Sequence, residues 1–91
     1  MIKFVFSEQA WNEYVYWHRH DKKILRRINI LLKDIQNKNY SGVGNPEPLE
    51  SFLSGLWSRR IDDTNRLVYR IPEFAGEKDI EILQCRGHYK E

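Results

Sequence analysis

The sequence predicts an α+β domain of order β-α-α-β-β-β, with two helices packed on one face of a mainly antiparallel sheet. Three observations lead there. Ile24, Leu25, Ile28, Leu31, Leu32 and Ile35 recur at i, i+1, i+4, i+7, i+8 and i+11, the spacing of one helix face. Residues 57–62, 66–71 and 79–86 read as strands, the first two as a hairpin, separated by turn-forming residues. A chain of 91 residues suffices for one core but not two, so residues 1–91 are expected to form a single domain.

The elements follow in order. Residues 2–6 are β-branched and aromatic, as in a buried strand. Ser7 offers a helix N-cap and Glu8 an acid in the first turn, where the helix dipole favours it. Ala10, Trp11, Tyr14, Val15 and Trp17 then keep helical spacing to about Arg19, and Asp21 caps the second helix. Residues 37–48 contain Gly42, Gly44, Pro46 and Pro48 and read as a loop. Residues 49–56 are ambiguous, with a short helical turn before a Gly55 bend as one reading. Residues 57–62 and 66–71 form a hairpin, 72–78 a turn and 79–86 a last strand that ends near Gly87-His88-Tyr89.

Composition removes several classes of protein. The single cysteine, Cys85, excludes an internal disulfide and a cysteine-based zinc site, and fits a reducing, cytoplasmic setting. No spaced His or carboxylate cluster argues for a metal either. No apolar run approaches the roughly 20 residues that span a bilayer, and the apolar start is too short for a signal peptide. The net charge of +2 is uninformative, but its distribution is not. Between Arg19 and Lys38, seven basic residues (Arg19, Lys22, Lys23, Arg26, Arg27, Lys33, Lys38) face two acids, Asp21 and Asp34. Such a segment is either a phosphate footprint or a solvated helix face.

Strand parity selects the candidate site. A three-residue loop, Asp63-Thr64-Asn65, would pair Asp62 with Arg66 and Arg60 with Val68, with Asn65 in the left-handed conformation. Trp57, Ile61, Leu67, Tyr69 and Ile71 then face the core, and Arg59 shares their parity, so it is expected at an edge. Arg60 and Arg66 lie together on the opposite, open face. Surface ion pairs with Asp62, Asp79 or Glu81 would satisfy them; a bound phosphate would satisfy them equally well. His88 is either a solvated tail residue or part of a site. Glu47, stiffened between Pro46 and Pro48, is either a turn residue or a presented carboxylate. His18 and His20 suit the C-terminal end of the first helix.

Several segments together resemble one family. Asn45-Pro46-Glu47-Pro48-Leu49, Leu53-Ser54-Gly55-Leu56-Trp57-Ser58-Arg59-Arg60-Ile61, Arg66-Leu67-Val68-Tyr69 and Cys85-Arg86-Gly87-His88-Tyr89 are similar to the signature blocks of YoeB-type toxins of the RelE superfamily. Phe6-Ser7-Glu8, Trp11, Tyr14, Trp17, Asp21-Lys22-Lys23-Ile24 and Lys33-Asp34 extend the resemblance across nearly the whole chain. It implies a microbial-ribonuclease-like fold and a ribosome-dependent endoribonuclease that cleaves messenger RNA without metal or other cofactor. It also implies a homodimer and a neutralising antitoxin of the YefM/Phd type.

By motif position, the resemblance makes Glu47 the general base, His88 the general acid, Arg66 the arginine at the scissile phosphate and Tyr89 a tyrosine beside it. Arg60 matches a phosphate contact, with Arg59 and Arg86 as further candidate RNA contacts. The basic residues Arg19, Lys22, Lys23, Arg26, Arg27 and Lys33 become candidates for binding the ribosome. The chemistry is self-consistent, because RNA carries its own nucleophile. A base takes the 2′-OH proton, an acid protonates the leaving 5′ oxygen, and arginines offset charge on the phosphate. Val43, Asn45 and Glu50 stand where relatives are often lysine-rich, which would weaken contacts to RNA. A non-catalytic module that binds ribosome and antitoxin is the competing expectation.

Overall fold

The first strand, β1 (Lys3–Phe6), passes directly into helix α1 (Glu8–His20) because Ser7 serves both. Its hydroxyl accepts from the Ala10 amide at 3.0 Å as the helix cap and donates to the Leu83 carbonyl at 3.2 Å. Asp21 then joins two helices. Its amide donates to Trp17 O, closing α1, while its carboxylate accepts from the Lys23 and Ile24 amides to open α2 (Lys22–Asn37). This is a computed structural model, and it describes residues 3–37, 41–50, 55–71 and 79–88.

Strands β2 (Glu47–Pro48), β3 (Leu56–Arg60), β4 (Arg66–Arg70) and β5 (Asp79–Gln84) complete a five-stranded sheet of order β1-β5-β4-β3-β2. Only β1 and β5 run parallel. The α2 stripe is as the spacing predicts: Ile28, Leu31 and Ile35 are fully buried. They pack into one core with Ala10, Trp17, Trp57, Ile61, Leu67, Tyr69, Ile71, Ile80, Ile82 and Cys85. Each large apolar side chain among them contributes on the order of 2 kcal/mol by leaving water.

Three features differ from the sequence reading. Glu47–Pro48 is a short edge strand, not loop, pairing Glu47 with Ser58 and Pro48 with Trp57. An edge position tolerates proline, which lacks an amide for a further neighbour. The hairpin register is shifted by two, so that Arg60 opposes Arg66 and Arg59 opposes Leu67, with residues 61–65 forming the loop. A shift of two preserves parity, and the core face is therefore the expected one. The loop is longer because the Asp62 carboxylate accepts from the Thr64 and Asn65 amides, at 2.9 and 2.7 Å, and the Asn65 carbonyl accepts from Ile61 and Asp62. Asn65 does not adopt the expected left-handed backbone.

The third difference concerns the open face. Ser58 and Val68 lie on it but are buried, so the accessible part is its rim, where Arg60 is exposed and Arg66 partly so. After β5 the chain folds back, and the Gly87 carbonyl accepts from Arg66 N at 3.0 Å and from Gln84 Nε2 at 3.3 Å. The expected turn over 72–78, and residues 51–54 of the ambiguous stretch, lie outside the described residues.

Ile28→Ala should cost about 3 kcal/mol through lost burial and a residual cavity. Thermal denaturation would register this as a fall in Tm on the order of 15 °C. Asp62 yields a pH-dependent test. Burial raises its pKa, but hydrogen bonds from Thr64 and Asn65 outweigh burial and hold it below 3.8. A depressed carboxylate contributes stability above its unfolded pKa and loses it as pH falls through the folded one. Asp62→Asn should therefore be less stable than wild type by about 1 kcal/mol at pH 7. Below pH 3.8 that gap should close in paired denaturant melts.

Candidate active site

On the rim of the sheet, Arg66 Nη1 donates to Glu47 Oε1 at 2.9 Å. The arginine comes from the start of β4 and the carboxylate from the edge strand β2, so β3 alone separates them. Both remain accessible, with side chains 25% and 48% exposed. Arg60 opposes Arg66 across the hairpin and is also exposed. Among the described residues, no carboxylate forms an ion pair with Arg60. Of the acids considered as neutralisers, two are engaged otherwise: Glu81 lies 3.9 Å from Arg70, and Asp62 holds its own loop.

Glu47 is delivered by a constrained backbone. Pro46 and Pro48 fix φ on either side of it, and Asn45 and Glu50 have φ of 52° and 63°. Asn accepts the left-handed region readily, whereas for Glu it costs on the order of 1 kcal/mol. Strain of this kind persists where surrounding contacts determine the conformation.

The segment carrying His88 is tethered from two sides. The Cys85 amide donates to Glu13 Oε1 at 2.8 Å, and the Trp17 indole donates to the Cys85 carbonyl at 2.9 Å. From the hairpin loop, Asn65 Oδ1 accepts from the Gly87 amide at 2.8 Å. Gly87, with φ of 84°, turns the chain so that its carbonyl meets the Arg66 amide. His88 is thus the residue immediately after a backbone partner of Arg66, and its side chain is exposed. Tyr89 lies outside the described residues.

Two arginines are placed otherwise than the sequence suggested. Arg59 is not at an edge and offers no surface for RNA: it is 0% exposed, bridged to Asp34 Oδ2 at 2.6 Å. Its Nε donates to the Tyr69 hydroxyl at 3.0 Å, and its Nη atoms donate to the Val43 and Ser41 carbonyls. The core face accepts it because its guanidinium donates to a carboxylate, a hydroxyl and two carbonyls, and burial of a charge is tolerated only with such partners. Burial raises the Tyr69 pKa, against the lowering effect of Arg59. Arg86 turns toward α1, its guanidinium 3.7 Å from the centre of the Tyr16 ring. There it lines a groove of about 570 Å³ with Glu8, Gln9, Asn12, Glu13 and Tyr16, distinct from the Glu47–Arg66 rim. Stacking on an aromatic face holds it there.

The basic surface of α2 is intact. Lys22, Lys23, Arg26 and Lys33 are exposed, as is Arg19 at the end of α1. Arg27 is half-buried and donates from Nη2 to the Arg60 carbonyl at 3.3 Å, joining this helix to the rim. Cys85 is not a nucleophile candidate. Burial, with the Glu13 charge, pushes its thiol up to about 12. Among the described residues, no group of three His, Cys, Asp or Glu side chains is placed to hold a metal ion.

The sequence reading missed Asp34, Tyr69 and Asn65 as organisers of this site. An arginine at a core-parity position was the available signal, because it demands a buried acid, and Asp34 directly precedes the stripe residue Ile35.

A Synechocystis sp. protein named Toxin YoeB is 45% identical over 89 residues, spanning 98% of this chain and 99% of that protein. The YoeB dimer from Staphylococcus aureus superposes with a TM-score of 0.85 at 40% identity, covering 97% of this chain and 98% of the other. The toxin in the heterotetrameric YoeB–YefM toxin–antitoxin complex of the same organism gives 0.82 at 40% identity, covering 98% and 99%. Residues 6–89 match the family model for the YoeB-like toxin of bacterial type II toxin–antitoxin systems, and the chain belongs to that family.

Proposed function

We infer that this toxin is an endoribonuclease that cuts messenger RNA on the ribosome. The observation that carries the reading is the accessible Glu47–Arg66 pair, 2.9 Å apart, with the His88 segment hydrogen-bonded to the Arg66 backbone. Glu47 takes the proton from a ribose 2′-OH, whose oxygen attacks the adjacent phosphorus. The bond from phosphorus to the 5′ oxygen breaks as His88 protonates that oxygen. The products are a 2′,3′-cyclic phosphate and a free 5′-OH.

Arg66 and Arg60 offset the charge that grows on the non-bridging oxygens. In the resting protein Arg66 holds the base, so an arriving phosphate must exchange for the carboxylate. That exchange frees Glu47 at the moment its substrate is present. The ribosome supplies the bent, attack-ready message. The exposed bases of α2 and Arg19 bind ribosomal RNA, and they continue into the rim through Arg27. An antitoxin of the YefM kind, as in the related complex, silences the toxin, and two toxin chains associate as in the related dimer. Among the described residues, no helix is long and apolar enough to cross a membrane, and the protein acts in the cytoplasm, where ribosomes are.

Primer extension on messenger RNA with purified ribosomes tests the reading. Cuts at codon-linked positions are expected, and ribosome binding without cuts would make the chain a non-catalytic module. Glu47→Ala and His88→Ala should each slow single-turnover cleavage by about 10²- to 10⁴-fold, and Arg66→Ala by about 10²- to 10³-fold. All three should keep the wild-type circular dichroism spectrum and lose growth arrest. Full toxicity of His88→Ala would reject the assigned acid.

A further inference from the structure

We propose that Arg59 is a positioning residue: it locks residues 41–44 against α2 and thereby sets where the Glu47 carboxylate stands opposite Arg66. The inference rests on the nuclease reading above. Arg59 is fully buried, so it meets no substrate, yet its bonds converge on the segment that delivers the base. Nη1 donates to Asp34 Oδ2 at 2.6 Å and to Val43 O at 3.2 Å, and Nη2 donates to Ser41 O at 2.9 Å. Asp34 Oδ2 also accepts from the Val43 amide at 2.9 Å. One residue on, the Gly44 carbonyl accepts from Arg60 N at 2.7 Å.

The backbone is shaped to allow this approach. Gly42 has φ of 116°, and a Cβ there would overlap Asp34 Oδ2 and lie 3.3 Å from Arg59 Nη1. Gly44 has φ of 88°, with room for a Cβ denied by Leu31 and the Arg60 carbonyl. Between Gly44 and Glu47 stand only Asn45, with its left-handed φ of 52°, and Pro46. So short and stiff a connection passes any shift of the anchored segment to the carboxylate. A base displaced by about 1 Å loses on the order of 10²-fold in rate.

Three variants of the full-length protein reach the segment by different routes. Tyr69→Phe removes one acceptor of Arg59, Asp34→Asn removes its charge partner, and Gly42→Ala leaves every polar group and wedges the loop away. Each is measured by single-turnover cleavage on programmed ribosomes and by hydrogen exchange at the Val43 and Arg60 amides, alone and combined with Glu47→Ala. Exchange at those two amides should quicken by about tenfold or more, with Ile80 and Ile82 unchanged. Cleavage should fall on the order of 10²-fold with ribosome affinity held within about twofold. In the Glu47→Ala background the same substitutions should cost nothing further, because their effect runs through that carboxylate.

Additive losses on Glu47→Ala, a loosened loop with unaltered cleavage, or quickened exchange throughout β5 would each overturn the role. Tyr69→Phe is near-isosteric and keeps the test open if a bulkier change unfolds the protein. A wild type that makes no cut is seen before any variant is assayed. It removes the nuclease reading, and with it Arg59's role in placing a base, while the exchange data still decide whether Arg59 anchors the loop.

Discussion

A guanidinium on the core side of the sheet constrains most of what surrounds it. Arg59 has no access to water, and an unpaired charge in that position would cost several kcal/mol. Asp34 from α2, Tyr69 from β4 and two carbonyls from the loop after α2 are therefore drawn to one point. Such an ion pair adds little net stability over a well-packed apolar substitute, since desolvation offsets most of its attraction. Removing either partner strands the other.

Arg66 sits between two such polar anchors. On one side the Arg59 hub holds the loop that leads into Glu47. On the other, Glu13, Trp17 and Asn65 hold the chain from Cys85 to Gly87. Both reach Arg66 itself, one through its side chain and the other through its backbone amide. The accessible chemistry is thus placed by buried polar contacts of α1, α2 and the hairpin loop, while the apolar core fixes only the layers beneath. The two helices carry separate duties: α1 secures the tail, and α2 secures the loop that leads into Glu47 and presents positive charge outward.

Most of this architecture was legible in the sequence where one physical rule acted alone. The caps at Ser7 and Asp21, the α2 stripe and the core parity of Trp57, Ile61, Leu67, Tyr69 and Ile71 all follow from local periodicity and side-chain chemistry. Rules failed where tertiary contacts competed. Pro48 suggested loop because its role as an edge residue depends on a neighbour, β3, that is distant in sequence. Asn65 suggested a tight hairpin, but its side chain is committed to Asp62 and Gly87, and the loop widens to suit. Arg59 and Arg86 looked alike as basic residues in family-like blocks. One is absorbed by the core and the other by an aromatic ring on α1, a distinction only three-dimensional packing makes. Glu47 and Arg66 were both nameable from the motif, whereas their direct pairing was not, because the edge strand that brings them together was unforeseen.

A nuclease of this kind requires that a loop carboxylate, a hairpin arginine and a tail imidazole address a single phosphodiester. The most direct measurement is a structure of the toxin on a ribosome whose message carries a 2′-O-methyl group at the cleaved position. The Glu47 carboxylate should lie about 3 Å from the 2′ oxygen and the His88 imidazole at similar range from the 5′ oxygen, with Arg66 turned from Glu47 to the non-bridging oxygens. A phosphate seated elsewhere, with Arg66 still paired to Glu47 and His88 out of reach of the leaving oxygen, would contradict it.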